Sequence, residues 1–158
     1  RAVFGQSMLA LMENQDQRQL LLDEPGRIED AVEECLRCFP AFSYMRRTAT
    51  RDVELHGQQI KEGDKLALWY ISGNRDETVF ENADQFDVSR PRVQHQAFGA
   101  GGRHFCLGAA LARLELKVML EETLRRFPDM ELSGEPVRAQ SLFLNQHKSI
   151  PVRFTPEA

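Results

Sequence analysis

"AFGAGGRHFCLGAALARLE", residues 97–115, crowds four glycines around one cysteine and then runs straight into an alanine- and leucine-rich stretch. Glycine serves where the backbone takes φ > 0 or must pass close to something bulky. A cysteine just ahead of a helix start lies where the helix dipole and free N–H groups favour a thiolate. The combination reads as a backbone cradle that presents a sulfur anion to a large or flat ligand, with backbone N–H groups facing the sulfur. The helix that follows is expected from about Leu107 to Arg126, closed by Pro128, with Leu107, Leu111, Leu114 and Val118 as its apolar stripe.

The rest of the chain is ordinary in bulk. It has 158 residues, 42% of them apolar and 28% charged, with a formal charge of −4. That length suits one domain and buries roughly 70% of the unfolded surface. The negative balance gives no sign of nucleic-acid binding. No apolar run approaches the ~20 residues of a membrane span, and no signal peptide is visible. Three cysteines, Cys35, Cys38 and Cys106, are too few for a disulfide scaffold and point to a reducing, cytoplasmic setting. The opening "RAVFGQSMLALMEN" places Phe4, Met8, Leu11 and Met12 on one helical face without a start signal. It reads as a helix entered part-way, so the chain is expected to be a piece of something longer.

Three helices are expected in the first forty residues: the opening one, a second capped by Asp16 and stopped by Pro25, and a third through "RIEDAVEECLRCF" ending at Pro40. "MRRTATRDVELHG" and "QQIKEGDKLALWYIS", punctuated by His56-Gly57 and Glu62-Gly63-Asp64, read as short antiparallel strands. Residues 73–96 are polar and aperiodic, an ordered meander with one helical turn. The tail from Met130 reads as a hairpin or two.

Several constellations carry chemistry. Glu34 and Arg37 form an i,i+3 pair among apolar neighbours, where a buried charge must be matched, and Arg90 in "FDVSR" offers a third member. Cys35 and Cys38 form a lone CxxC inside a helix; with no second pair to complete a zinc site, they read as packed thiols. The glycine loop lacks the last glycine of GxGxxG and any following Lys-Ser/Thr, which argues against a phosphate cradle. His95, His104 and Cys106 within one loop would need a fourth metal ligand. The remaining reading is a single thiolate, the mode in which cysteine holds a haem iron axially.

With these residues in view, "FGAGGRHFCLG" resembles the haem-binding loop of the cytochrome P-450 monooxygenases. Glu34-x-x-Arg37 followed by "FDVSR" resembles that family's helix-K motif and meander arginine, and the similarity runs over essentially residues 1–158. The resemblance implies a mainly helical α+β fold, the C-terminal part of the P-450 architecture: end of the distal helix, helix K, a small antiparallel sheet, meander, cysteine loop, long proximal helix and C-terminal β-hairpin. One departure stands out. Cys106 lies eight residues after Phe98, where the commonest signature has seven. The longer form, with a His two before the Cys, resembles an actinobacterial subgroup that includes steroid and branched-lipid hydroxylases.

Carried over residue by residue, the resemblance implies haem b (iron protoporphyrin IX) bound through Cys106 as axial ligand. Phe98 would shield the sulfur, and Gly99 and Gly108 would admit the macrocycle. His104 and Arg47 would pair with its propionates. Glu34, Arg37 and Arg90 would be structural. Met45, Leu142, Phe143 and Leu144, within the stretches 42–45 and 142–145, would touch substrate. The implied reaction inserts one oxygen atom of O₂ into an apolar substrate, a steroid or branched lipid, with electrons from a ferredoxin-type partner near Arg103 and Arg113. The oxygen-activating acid and threonine of the family's distal helix have no counterpart here. The alternative expectation is therefore a catalytically incompetent, even haem-free, piece of such an enzyme.

Overall fold

The computed structural model describes residues 1–92, 94–99 and 101–156; Ala100 of the glycine loop lies outside them. Helix α1 (Ala2–Glu13) is followed by α2 (Gln15–Asp23), a 3₁₀ turn (Pro25–Arg27) and α3 (Ile28–Cys38). Pro25 sits at the first position of its turn, where its missing N–H costs nothing. The second helix starts two residues earlier than expected, after Asn14, and the Asp16 carboxylate takes a hydrogen bond from Gln17 instead of capping. Along α3, Ile28, Ala31, Val32, Cys35 and Leu36 recur at helical spacing and are all buried.

Strands β1 (Tyr44–Thr48) and β4 (Lys65–Trp69) pair antiparallel, Tyr44 opposite Trp69. Between them β2 (Val53–Leu55) and β3 (Gln58–Ile60) form a tight hairpin. Its two-residue turn is His56-Gly57, both at positive φ (48° and 76°), as a turn matched to strand twist demands. The strand expected to run on through Ser72 stops at Trp69. There Tyr70 N–H donates to Ser43 O, and Tyr70–Gly73 closes a single helical turn, α4. Burial of both Tyr70 and Asn74 explains that bend.

Helix α5 (Ala109–Arg126) packs against α3 and α1. Its buried face is Ala109, Leu116, Leu120 and Leu124. The apolar stripe read from the sequence, Leu107, Leu111, Leu114 and Val118, is exposed, from 47% at Val118 to full exposure at Leu107. Two leucine stripes of the same period lie on this helix, and periodicity alone does not say which one meets the core. Contacts with α3 and α1 select the second.

The tail forms two nested antiparallel pairs, β5 (Glu131–Leu132) with β8 (Val152–Arg153) and β6 (Val137–Arg138) with β7 (His147–Ser149). Phe42 bridges to Leu144, which brings the tip of the tail beside the start of β1. The core centres on Leu11, Ala31, Val88 and Leu120, none with measurable exposure. Among the described residues no helix is long and apolar enough to cross a membrane.

Candidate functional site

The meander, residues 74–92, has no ladder to satisfy its carbonyls, and two guanidinium groups take that role. Arg37 donates to the carbonyls of Asn74 (2.7 Å), Ala83 (2.6 Å) and Gln85 (2.9 Å) and to both oxygens of Glu34. All five of its N–H groups are engaged, and Phe80 lies 5.3 Å from its guanidinium carbon. Arg90 donates to Glu34 at 3.2 Å and to the carbonyls of Glu81, Asn82 and Gln85. Glu34 also accepts the Asp87 N–H at 3.0 Å. Burial alone would raise the Glu34 carboxyl, but the Arg37 and Asp87 hydrogen bonds and two nearby cations hold it below its usual value. Asn74, buried and unremarked in the sequence, links this cluster to the cysteine loop. Its amide donates to Arg37 O (2.9 Å) and its oxygen accepts the Gln96 N–H (2.6 Å).

The cysteine loop then closes on itself. Cys106 N–H donates to Phe98 O at 3.0 Å and Ala109 N–H to Cys106 O at 3.2 Å. Gly99, Gly101 and Gly102 all have φ near +80°. At Gly99 a Cβ would find room, its nearest neighbour being Tyr70 Oη at 3.7 Å, so backbone conformation is what requires glycine there. At Gly108 a Cβ would stand 3.9 Å from Cys106 Sγ. The N–H groups expected to face the sulfur do not reach it. Among the described residues no hydrogen bond ends on Cys106 Sγ; the Cys106 and Ala109 N–H groups go to loop carbonyls.

Cys106 is the one exposed thiol of the three, and it opens onto a cavity of about 430 Å³. That volume falls within the roughly 300–1,000 Å³ of small-molecule sites. His104 and Arg47 border the same cavity, as do Phe98, Met45 and Phe42. Three further contributors carry no motif in the sequence: the opening turn of α1, Tyr70 from α4, and Ala112, Leu116 and Met119 from α5. Their common signal is only that each faces inward from an element flanking the loop. Leu142, Phe143 and Leu144 stand back from the wall; Phe143 packs its ring 4.9 Å from that of Phe42, and Leu142 is 88% exposed.

Both metal alternatives dissolve in the geometry. His95 is turned away, its Nε2 3.1 Å from Glu33, and among the described residues no three His, Cys, Asp or Glu side chains converge on a cation site. Cys35 and Cys38 are buried, and burial pushes both thiols up to about 12. A soft sulfur donor, mainly apolar walls and three basic side chains, Arg1, Arg47 and His104, against the single carboxylate of Glu115, fit a flat, anionic macrocycle with a metal at its centre.

The architecture and this cavity suit a protein that holds a flat cofactor through one cysteine sulfur. The sequence model described as cytochrome P-450 matches residues 27–153, and the chain belongs to that family. It is 42% identical over 156 residues, 98% of its length, to a methyl-branched lipid omega-hydroxylase of Mycobacterium tuberculosis. It is 43% identical over 150 residues, 92% of its length, to a steroid C26-monooxygenase of the same species. The chain spans only 36% and 37% of those two relatives. Among solved structures it matches a P-450 named BioI, in complex with hexadec-9Z-enoic acid ligated acyl carrier protein. The TM-score is 0.94 at 33% identity, covering 98% of this chain and 40% of that one.

Proposed function

We propose that this chain is the haem-binding portion of a monooxygenase that places one oxygen atom of O₂ into an apolar lipid or steroid. The observation that carries the reading is the exposed Cys106 sulfur sharing one apolar cavity with Arg47 and His104. When bound, haem b would supply an iron whose thiolate ligand favours O–O cleavage, one oxygen entering the substrate and the other leaving as water with two electrons and two protons.

The chain's own residues hold and enclose that group. Cys106 would supply the sulfur ligand, and Arg47 and His104 would pair with the propionate carboxylates. Gly99 and Gly108 keep the backbone clear of the macrocycle, and Phe98 shields the sulfur from water. Met45 lines the cavity and meets substrate. The turn 142–144 reaches it through Phe42. A ferredoxin-type partner delivers electrons on the cysteine side, where Arg103 is exposed. Arg113 is less available to a partner, since Glu33 holds its guanidinium. The names of the relatives favour a branched lipid or a steroid side chain as substrate.

The test is the spectrum of the reduced CO complex of the haem-loaded protein. The red-shifted Soret band of thiolate ligation is expected, and it should vanish in Cys106→Ser. Its survival in that variant would remove the reading. A chain that takes up no haem at all would favour the incompetent piece instead.

A further inference from the structure

Glu34 faces the meander, but its neighbour Glu33 faces the opposite way, into a cluster that none of the roles above requires. Arg113, one turn into α5, donates to both Glu33 oxygens at 2.6 and 2.9 Å. Such a forked pair is directional as well as strong. The guanidinium carbon lies 4.7 Å from the centre of the Phe98 ring. From the other side, buried His95 places Nε2 3.1 Å from Glu33. Its Nδ1 accepts the Ala97 N–H at 3.2 Å, so the ring proton sits on Nε2 and is donated to the carboxylate. Helix α3 thus grips residues 95–98 through His95 and α5 through Arg113, with Phe98 under the guanidinium. Phe98 O in turn takes the Cys106 N–H. The only breaks in this chain of contacts are covalent bonds. Burial would raise the Glu33 carboxyl, yet the His95 and Arg113 hydrogen bonds and the Arg113 charge hold it down to about 2, so it stays ionised.

We infer that Glu33 and Arg113, with His95, are positioning residues for the thiolate ligand: they clamp both ends of the cysteine loop and fix Phe98, and so set the placement of the Cys106 sulfur on the metal. Groups behind a ligand commonly orient it and tune the metal. The inference rests on Cys106 being that ligand. Lysine is no substitute at such a position, since a point charge cannot hold a fork and cover a ring at once.

The experiment uses the haem-loaded protein carrying this chain, with Glu33→Gln, Arg113→Met and Arg113→Lys. Two quantities are read well below each variant's melting temperature. One is the share of the reduced CO complex in the blue-shifted, thiol-ligated form; the other is amide exchange of residues 95–106. Glu33→Gln and Arg113→Met should raise the thiol-ligated share several-fold and speed exchange at Cys106 and Ala97, with Arg113→Lys between them and the unaltered protein. Lower melting temperatures with an unchanged thiolate share and exchange that quickens evenly everywhere would make the cluster a mere structural prop and overturn the inference. If a variant takes up no haem, exchange in the haem-free protein decides alone: acceleration confined to 95–106 supports the clamp, and uniform acceleration refutes it. Failure of the ligand assignment is separate, because it would show in the unaltered protein and in Cys106→Ser.

Discussion

Arg37 grips both oxygens of Glu34, at 2.7 and 2.8 Å, in a setting where each side chain is only 2% exposed. The same guanidinium carries three meander carbonyls, so one side chain substitutes for the ladder that residues 74–85 never form. Arg37→Ala would leave the buried Glu34 charge with only Arg90 and the Asp87 N–H and would strand the Asn74 and Ala83 carbonyls. A loss of about 3–5 kcal/mol is expected, from the usual cost of orphaning a buried charge. Arg37→Lys should recover little of it. Urea unfolding midpoints measure the loss, and a soluble, haem-loaded Arg37→Ala protein of near-normal stability would contradict it.

The thiols separate by burial. In the haem-free protein, iodoacetamide should modify Cys106 rapidly and leave Cys35 and Cys38 untouched until the chain unfolds, since burial holds both near 12. Peptide mass mapping after brief alkylation reads this directly.

Acid should expose the Glu33 cluster. The carboxyl moves from 4.5 to about 2 on folding. Because the folded value is the lower one, its contribution is complete above pH 4.5 and disappears as pH falls through about 2. The stability difference between the unaltered protein and Glu33→Gln should therefore shrink across that window and be flat above it. Denaturant melts at a series of pH values give the curve.

Two leucines on α5 should behave oppositely despite equal chemistry. Leu120 has no exposure and Leu114 has 58%. Leu120→Ala should cost about 2–5 kcal/mol, whereas Leu114→Ala should stay within about 0.5 kcal/mol. Equal losses would mean that the helix is rotated from the orientation described.

That pair also marks where sequence reading reaches its limit. The cysteine loop, the Glu34–Arg37–Arg90 set and the three opening helices were legible because each rests on local chemistry: turn residues, a matched charge, a repeating apolar face. Placement of the leucine stripes was not legible, since both repeat with helical period and only α3 and α1 distinguish them. Glu33, Asn74 and Tyr70 were missed for a related reason. Each is an unexceptional residue whose importance lies in a partner 22 to 80 positions away. Nor does any spacing rule reveal that the Cys106 and Ala109 N–H groups turn to the Phe98 and Cys106 carbonyls and not to the sulfur.

The seam between Phe42 and Leu144 has a bearing on how the molecule comes into being. Its neighbours reinforce it: Asn145 N–H donates to Ala41 O, Asn145 Nδ2 to Pro40 O, and Gln6 Nε2 to Asn145 O, the last across 139 residues of sequence. Closing so wide a loop is slow relative to helix formation. On a ribosome adding roughly 5–20 residues per second, the first helix would wait on the order of ten seconds for that partner. During this interval the amide of Gln6 and the aromatic edge at Phe42 remain open to chaperones or to other nascent chains. Conditions that slow synthesis of the last twenty residues should therefore lower the yield of native protein without altering the stability of what does fold.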